Sequence, residues 1–157
     1  MFDLKKGIHI YIVVSEREAR SQMEDILVLD GFDVSTFATP KDLWEHFQTR
    51  PARFIIIDES FGGEFSGLDV VKTIRRQNLL PYVYVLVRST IEQLSEIEAA
   101  LAAGANDCLV IFKRHDPFQI RSKILVGLHW LNYIDSVNSV VAKMEVKPSG
   151  KQLVTGT

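Results

Sequence analysis

The sequence predicts an α/β protein in which five parallel strands form a doubly wound sheet with helices on both faces. Short apolar runs alternate with amphipathic helical segments along most of the chain. One run, Phe54 to Ile57, is continuously apolar, which is typical of a central strand buried on both faces. The 157 residues, 46% of them hydrophobic, suffice for one core. We therefore expect one domain over residues 1–135, followed over 136–157 by a helix extension and a disordered tail.

The first strand is predicted from Ile8 to Val14, and the first helix follows it to about Asp30. Ser15 and Glu18 have the spacing of a capping box, in which each side chain accepts a hydrogen bond from the backbone amide of the other residue. Apolar residues then recur at the spacing of one buried helix face until Gly31 ends the helix.

The second strand, the second helix and the third strand follow. Phe32 to Phe37 alternates as a strand does, and Thr39-Pro40 is typical of a helix start with an N-cap and a first-turn proline. The buried strand Phe54 to Ile57 then ends at Asp58. A glycine-rich loop from Phe61 to Gly67 precedes the third helix.

Two more strands and two more helices complete the prediction. Tyr82 to Val87 is the fourth strand, and the helix Ile91 to Ala103 ends at Gly104. Cys108 to Phe112 is the fifth strand, and a last helix runs from Pro117 to about Met144. An apolar stripe continues along this helix beyond the expected edge of the domain, and it either binds a partner or simply packs on the domain or frays: Leu128, Leu131, Ile134, Val137, Val141 and Met144.

The functional crevice of a doubly wound sheet lies outside the carboxyl ends of the strands, where the strand order reverses. Here those ends are Val14-Ser15-Glu16, Asp58, Ser89-Thr90 and Ile111-Phe112-Lys113. Functional side chains are therefore expected among these residues.

Four segments, taken in order, resemble the receiver domain of bacterial two-component response regulators over roughly residues 7–131. They are Ile10 to Arg20, Ile55 to Asp58 with the later Gly67-Leu68-Asp69, Pro81 to Thr90, and Ala103 to Val110. The resemblance implies a flavodoxin-like fold, a signalling role exerted through other proteins, and no enzymatic activity of the chain itself.

The resemblance also implies roles for particular residues. Asp58 falls at the phosphoacceptor position, and Ser89 at the hydroxyl that donates to the phosphoryl group. The family binds Mg²⁺ through two acids after the first strand, the phosphoacceptor, and a backbone carbonyl two positions later, which here is Ser60. In-line phosphoryl transfer needs this metal to neutralise the crowded oxygens.

The chain departs from the family pattern where this chemistry is carried. Val14 and Ser15 stand at the positions of the two acids, and neither offers a carboxylate. Ile111 stands at the position of the family's lysine, and Cys108 at the position of its switch aromatic. The Mg²⁺ site and the switch are therefore degraded.

Two residues are candidate replacements. Glu16 becomes the second acid if the register slides by one residue, and Lys113 lies two residues beyond the lysine position, on the same side of a regular strand. We expect a degenerate receiver that acts as a protein-interaction module. The alternative is a working phosphoreceiver that uses Glu16 and Lys113 in shifted positions.

Simpler explanations exist for several of these residues. Ser15 is explained as a helix cap, and Ser89 can equally cap a helix that begins near Ile91. An enzyme or cofactor protein using the same crevice is a third hypothesis, although the sequence offers neither a base-nucleophile pair nor a phosphate cradle. The histidines at 9, 46, 115 and 129 lack metal-ligand spacing and are expected to be ordinary polar positions.

The charge, the length of the apolar runs and the cysteine count limit the kinds of partner and environment expected for this chain. With 18 basic and 20 acidic residues, the chain lacks a broad basic surface for nucleic acid. Its apolar runs are too short to cross a membrane, so we expect a cytoplasmic protein. A single cysteine precludes an internal disulfide.

The expected partner is a protein, either a sensor kinase or a downstream effector. A homodimer is expected through the fourth helix, fifth strand and final helix, at Leu94, Ile97, Leu101 and the stripe from Leu128 to Ile134.

Overall fold

Strands and helices alternate from His9 to Lys151 in the computed structural model, which describes residues 7–59, 61 and 63–151, and side chains as far as residue 145. The elements are β1 His9–Val13, α1 Arg17–Leu29, β2 Asp33–Phe37, α2 Pro40–Thr49, β3 Phe54–Asp58, α3 Gly67–Arg76, β4 Tyr84–Ser89, α4 Leu94–Ala103, β5 Asp107–Val110 and α5 Pro117–Lys151. All strand pairs are parallel, and the order is β2-β1-β3-β4-β5. The predicted doubly wound, flavodoxin-like sheet is confirmed.

The sheet separates two apolar cores. Alternate residues of a strand point to opposite faces, so Ile56 packs towards α1 and α5, whereas Ile55 packs towards α2, α3 and α4. Every residue of β3 is buried. The strand that ends in Asp58 is thus held from both sides, which positions this carboxylate firmly at the carboxyl edge.

Helix ends agree with the sequence in two places and differ in two others. Thr39 caps α2 by accepting a hydrogen bond from the amide of Asp42, and Gly104 ends α4 with a φ of 112°. The predicted capping box of Ser15 is wrong, because the N-cap of α1 is Glu16 and no side chain caps it. A capping box does form at α3, between Ser66 and Asp69.

Several strand and helix bounds around the crevice differ from the prediction. β4 runs to Ser89, and α4 begins at Leu94 instead of near Ile91. β5 ends at Val110 instead of Phe112. The chain turns away from the sheet there, since Phe112 is 57% exposed and Lys113 adopts a positive φ of 36°.

The last helix lies close against the sheet before it extends beyond it. A Cβ on Gly127 would come within 2.6 Å of the Phe54 ring, so only glycine permits this approach. Leu128 and Leu131 are buried in the core, and Ile134 packs against it. The prediction that the stripe from Leu128 to Ile134 forms an exposed dimer surface is therefore wrong. The backbone stays helical to Lys151, past the predicted end at Met144, and residues 152–157 of the predicted tail lie outside the described residues.

Candidate functional site

Asp58 lies at the end of β3 with both carboxylate oxygens engaged. Its side chain is only 10% exposed. Oδ1 accepts a hydrogen bond from Nη1 of Arg88 at 2.7 Å. Oδ2 accepts one from the backbone amide of Ser15 at 3.1 Å, and the Ser15 hydroxyl lies 3.5 Å from the same oxygen. The carboxylate is therefore paired with an internal cation on one side and with a backbone donor on the other.

The cation is supplied by the neighbouring strand. The register of β3 with β4 sets Asp58 opposite Arg88, whose side chain is 8% exposed. Nε of Arg88 donates to Nε2 of His115 at 3.1 Å, and Nδ1 of His115 lies 3.3 Å from Oε1 of Gln22. These contacts hold the guanidinium between β3 and the segment that follows β5.

His115 is a buried member of this network, so the prediction that it is an ordinary polar position is wrong. Burial, together with the adjacent charge of Arg88, lowers the pKa of His115 to about 4. The imidazole is therefore neutral near pH 7 and can accept the hydrogen bond from Arg88. The sequence contains no spacing signal for this contact, because the two residues meet only in the folded chain.

A second carboxyl group lies beside Asp58. Glu59 is buried, and its backbone amide donates to the carbonyl of Arg88 at 3.0 Å. Burial raises the pKa of Glu59 to about 7, and a hydrogen bond with Glu96 and repulsion from it act in the same direction. A hydrogen bond with Ser89 acts in the opposite direction. Glu59 therefore connects the end of β3 to the first turn of α4.

Ser89 shares a cleft of about 270 Å³ with Asp58. Its Oγ accepts a hydrogen bond from the amide of Ile91 at 3.1 Å. Because α4 begins three residues later, this contact closes a turn and does not cap the helix. The cleft is lined by Ser15, Glu16, Asp58, Glu59, Arg88, Ser89, Thr90 and Ile91. The predicted phosphoryl-binding hydroxyl is thus close to Asp58, but it is engaged by the backbone.

The residues predicted to bind Mg²⁺ are only partly brought together. Glu16 is exposed and lines the cleft of Asp58, whereas Ser60 lies outside the described residues. Val14 is fully buried and has no donor atom. No group of three His, Cys, Asp or Glu side chains suited to a metal occurs among the described residues. Mg²⁺ prefers six oxygen ligands, and of the predicted ligands the described residues supply the Glu16 carboxylate and an Asp58 carboxylate that is already paired with Arg88.

Lys113, the predicted substitute for the family's lysine, makes no contact with Asp58 in the described part of the chain. It is exposed, and among the described residues no hydrogen bond or ion pair joins it to Asp58. It lines a separate cleft of about 430 Å³ with Arg88 and His115. Ile111, at the lysine position itself, is buried in the core. Arg88 is the cation that contacts Asp58. The sequence signal that could have pointed to it was a charged residue near the end of an otherwise apolar strand.

Gly67, at the start of α3, lies directly against the backbone at the end of β3. A Cβ on Gly67 would lie 1.8 Å from the carbonyl oxygen of Asp58, so this position admits no side chain without movement of the backbone. The capping box of Ser66 and Asp69 fixes the start of α3 at the same point. The position of Asp58 therefore depends on the glycine at the end of the loop.

Cys108 is buried on β5, facing the core shared with α4. Burial, with a smaller effect from the Asp107 carboxylate, raises the pKa of the Cys108 thiol to about 11. The thiol stays protonated near pH 7 and is a poor nucleophile. The residue at the family's switch position is therefore a small core side chain.

Comparison with known proteins agrees with this architecture. The family model of the response regulator receiver domain matches residues 10–125. The chain is similar in structure to chemotaxis protein CheY4 of Vibrio cholerae, with a TM-score of 0.68, 21% identity, and coverage of 76% of this chain and 98% of that one. It is also similar to NtrX from Brucella abortus, with a TM-score of 0.75, 20% identity, and coverage of 84% of this chain and 29% of that one.

Two further findings are negative. No curated protein matches the sequence. None of the helices in the described part of the chain has the length and apolar character needed to cross a bilayer. The family match covers most of the chain and includes Asp58, Ser89 and all five strands but the first residue of β1. The chain belongs to the response regulator receiver domain family of two-component systems.

Proposed function

We propose that this receiver is degenerate and acts as a signalling module through protein contacts, with the charge of Asp58 neutralised by Arg88 and with no regulation by phosphorylation of Asp58. The observation that carries the proposal is the buried contact of 2.7 Å between Nη1 of Arg88 and Oδ1 of Asp58. A guanidinium at this position occupies one side of the carboxylate where a divalent ion would otherwise have to bind.

Electrostatics supports the same interpretation. A carboxylate attacks phosphorus only if one oxygen is free and a metal offsets the charge of the incoming group. Here Oδ2 is bonded to the Ser15 amide, and the acids that would recruit a metal are replaced by Val14 and Ser15. Removing one partner of a buried ion pair also costs much more unfolding free energy than removing one partner of an exposed pair. We infer that this ion pair stabilises the conformation in which Asp58 is engaged by Arg88.

The alternative is a phosphoreceiver with a rearranged metal site. It is favoured by the position of Glu16, which lines the same cleft as Asp58. In that case Mg²⁺ binding would have to draw Arg88 away from the carboxylate, and Lys113 would have to turn inward.

The two functions differ in a direct measurement. The full chain is treated with Mg²⁺ and either acetyl phosphate or beryllofluoride, and the adduct is quantified by intact mass and by ¹⁹F NMR. We expect no stoichiometric adduct, as for the Asp58→Asn control. A one-to-one adduct that disappears in Asp58→Asn and weakens in Glu16→Gln would establish the phosphoreceiver instead.

The proposed output is contact with another protein in the cytoplasm, either a sensor kinase or a downstream effector, without catalysis by the chain itself. The α4 side offers exposed apolar residues for such contact, with Leu94 78% and Leu101 48% exposed. This side of the domain is close to the site, since Glu59 follows Asp58 and interacts with Glu96 in the first turn of α4.

A further inference from the structure

A cavity of about 300 Å³ lies at the edge of the sheet opposite to Asp58. It is surrounded by the C-terminal end of α3, the residues that lead into β4 and the middle of α5. Its apolar lining residues are Ile74, Leu79, Leu80, Tyr82, Val83 and Ile134. This volume, with a mainly apolar lining and a few polar groups, is typical of a pocket for a small molecule.

The cavity contains one cation, Arg75, which has no acidic partner. Among the described residues no carboxylate forms an ion pair with Arg75, and no acid lines the cavity. The side chain is partly buried, and this burial lowers the pKa of the guanidinium from its usual value. A partly desolvated cation without a counter-charge favours the binding of an anion beside it.

Two N–H groups of Arg75 are left for such an anion. A guanidinium carries five N–H donors. Nε donates to the carbonyl of Gly104, Nη1 to the carbonyl of Val83 and Nη2 to Oδ1 of Asn106, at 2.8, 2.8 and 2.7 Å. One N–H on each terminal nitrogen therefore has no hydrogen-bond partner in the described part of the chain. A carboxylate can accept hydrogen bonds from both terminal nitrogens at once, which makes this a strong and specific pair.

The other polar groups of the lining are two amides. The side chains of Asn78 and Asn138 line the cavity, and neither amide forms a hydrogen bond with another described residue. A primary amide can donate to a carboxylate oxygen. Every polar side chain in the lining can thus donate to an anion, and none of them carries a negative charge that would compete with it.

The walls of the cavity are held in place by contacts within the domain. The guanidinium of Arg75 lies 4.5 Å from the ring centroid of Tyr82, and the ring of Trp130 packs against the same residue at 4.7 Å. Nε of Arg53 donates to the carbonyl of Tyr82 at 2.9 Å, and its terminal nitrogens donate to Asp135 on α5 at 2.9 and 2.7 Å. The residues that lead into β4 are thus joined to α5, and a preformed pocket loses little conformational entropy when it binds a ligand.

We propose that this cavity binds a small organic monocarboxylate with an apolar or aromatic body. Its carboxylate would pair with Arg75, and its body would contact the apolar lining. The single cation favours a single negative charge, because a phosphate dianion would place its second charge against leucine and isoleucine side chains with no cation to compensate it. This inference goes beyond the proposed function, and it does not depend on the chemistry of Asp58 at the other edge of the sheet.

An NMR titration of the ¹⁵N-labelled full chain with phenylacetate tests the proposal. We expect saturable binding with a dissociation constant on the order of 1 mM or below, as for a ligand of this size. The largest shift changes should occur around Arg75 and not around Asp58. Phenylacetamide has the same body without the charge, so it should bind about tenfold more weakly or worse, because hydrogen bonds to charged groups are the stronger ones.

Variants of two asparagines on α5 provide a matched pair. Asn138→Asp introduces a carboxylate into the lining and should weaken the binding of phenylacetate about tenfold or more, because like charges repel. Asn132→Asp adds the same charge to an exposed position of the same helix outside the cavity, and it should bind as the wild type does. Arg75→Gln should abolish the preference for phenylacetate over phenylacetamide. Circular dichroism establishes that each variant is folded, and Asn138→Asp decides the question if Arg75→Gln does not fold.

Three results would overturn the inference. The first is a wild type that shows no saturable binding of phenylacetate up to about 10 mM. The second is equal affinity for phenylacetate and phenylacetamide, which would show that the cavity takes apolar groups without recognising their charge. The third is equal weakening in Asn132→Asp and Asn138→Asp, which would place the bound carboxylate outside this cavity.

Discussion

Arg88→Met removes the guanidinium at Asp58 while it keeps most of the apolar stem, so it isolates the charge from the packing. In the wild type the two side chains are 8% and 10% exposed, and 2.7 Å separates Nη1 from Oδ1. The variant leaves a buried carboxylate whose remaining donors among the described residues are the amide and, at 3.5 Å, the hydroxyl of Ser15. Breaking a buried pair in this way costs about 3 to 5 kcal/mol of unfolding free energy.

A matched control distinguishes burial from distance. Arg121 also lies 2.7 Å from an aspartate, Asp30, but its side chain is 46% exposed. Arg121→Met should therefore cost about 0 to 1 kcal/mol, because water screens an exposed pair and side-chain entropy opposes it. The comparison uses the same substitution at the same separation of charges.

The double variant Asp58→Asn/Arg88→Met completes a thermodynamic cycle. Since it removes both charges, it should lose less stability than the sum of the two single variants, with a coupling of about 2 to 3 kcal/mol. Urea unfolding followed by circular dichroism gives each value, provided that the m-values agree. If Arg88→Met costs no more than Arg121→Met, or if the coupling is absent, Arg88 does not neutralise Asp58 and the proposed function loses its support.

Three further results are expected. Glu59 has a pKa raised to about 7, so it contributes stability that is present below its unfolded pKa of 4.5 and is lost as the pH rises through 7. The slope of unfolding free energy against pH should therefore flatten in Glu59→Gln between pH 4.5 and pH 7. An unchanged slope would contradict the raised pKa of Glu59. His115 has a pKa lowered to about 4, so it contributes stability that is present above its unfolded pKa of 6.5 and is lost as the pH falls towards 4. His115→Gln should remove this loss of stability at acid pH. A dependence of unfolding free energy on pH like that of the wild type would argue against a buried, neutral imidazole. Gly67→Ala should cost about 2 kcal/mol or more of unfolding free energy, measured with urea, because its Cβ would clash with the backbone at the end of β3. Gly63→Ala should cost less, because its φ is 127° but a Cβ there meets no atom within 4 Å. Equal costs would show that the backbone around Gly67 can move to accept the methyl group.

The sequence by itself determined the fold and the place of the candidate site. Strand and helix periodicity are local properties, so the alternation of elements, the buried strand β3 and the helix end at Gly104 follow from the order of residues along the chain. The position of Asp58 at the carboxyl edge follows from the same alternation. The replacement of acids by Val14 and Ser15, and of the lysine by Ile111, is likewise visible in the sequence.

Only the tertiary structure decided what surrounds Asp58. The contact with Arg88 depends on the register of two strands whose paired residues are 30 positions apart, and the contact of Arg88 with His115 joins β4 to the segment after β5. Ser15 has the local spacing of a helix cap, yet its amide is turned towards Asp58. Local propensity cannot weigh a cap against a long-range charge contact, since the second exists only after the sheet has formed.

The same reason decides which apolar residues of α5 are exposed. In the sequence these residues recur at helical spacing, and the stripe containing Leu128 and Leu131 looked available to a partner. The sheet covers Leu128 and Leu131 because Gly127 lets the helix approach Phe54 closely. Tyr133 and Val140 are left on the solvent side. Periodicity shows that a helix has an apolar face, but the packing of the domain decides which residues of the helix are buried and which stay exposed.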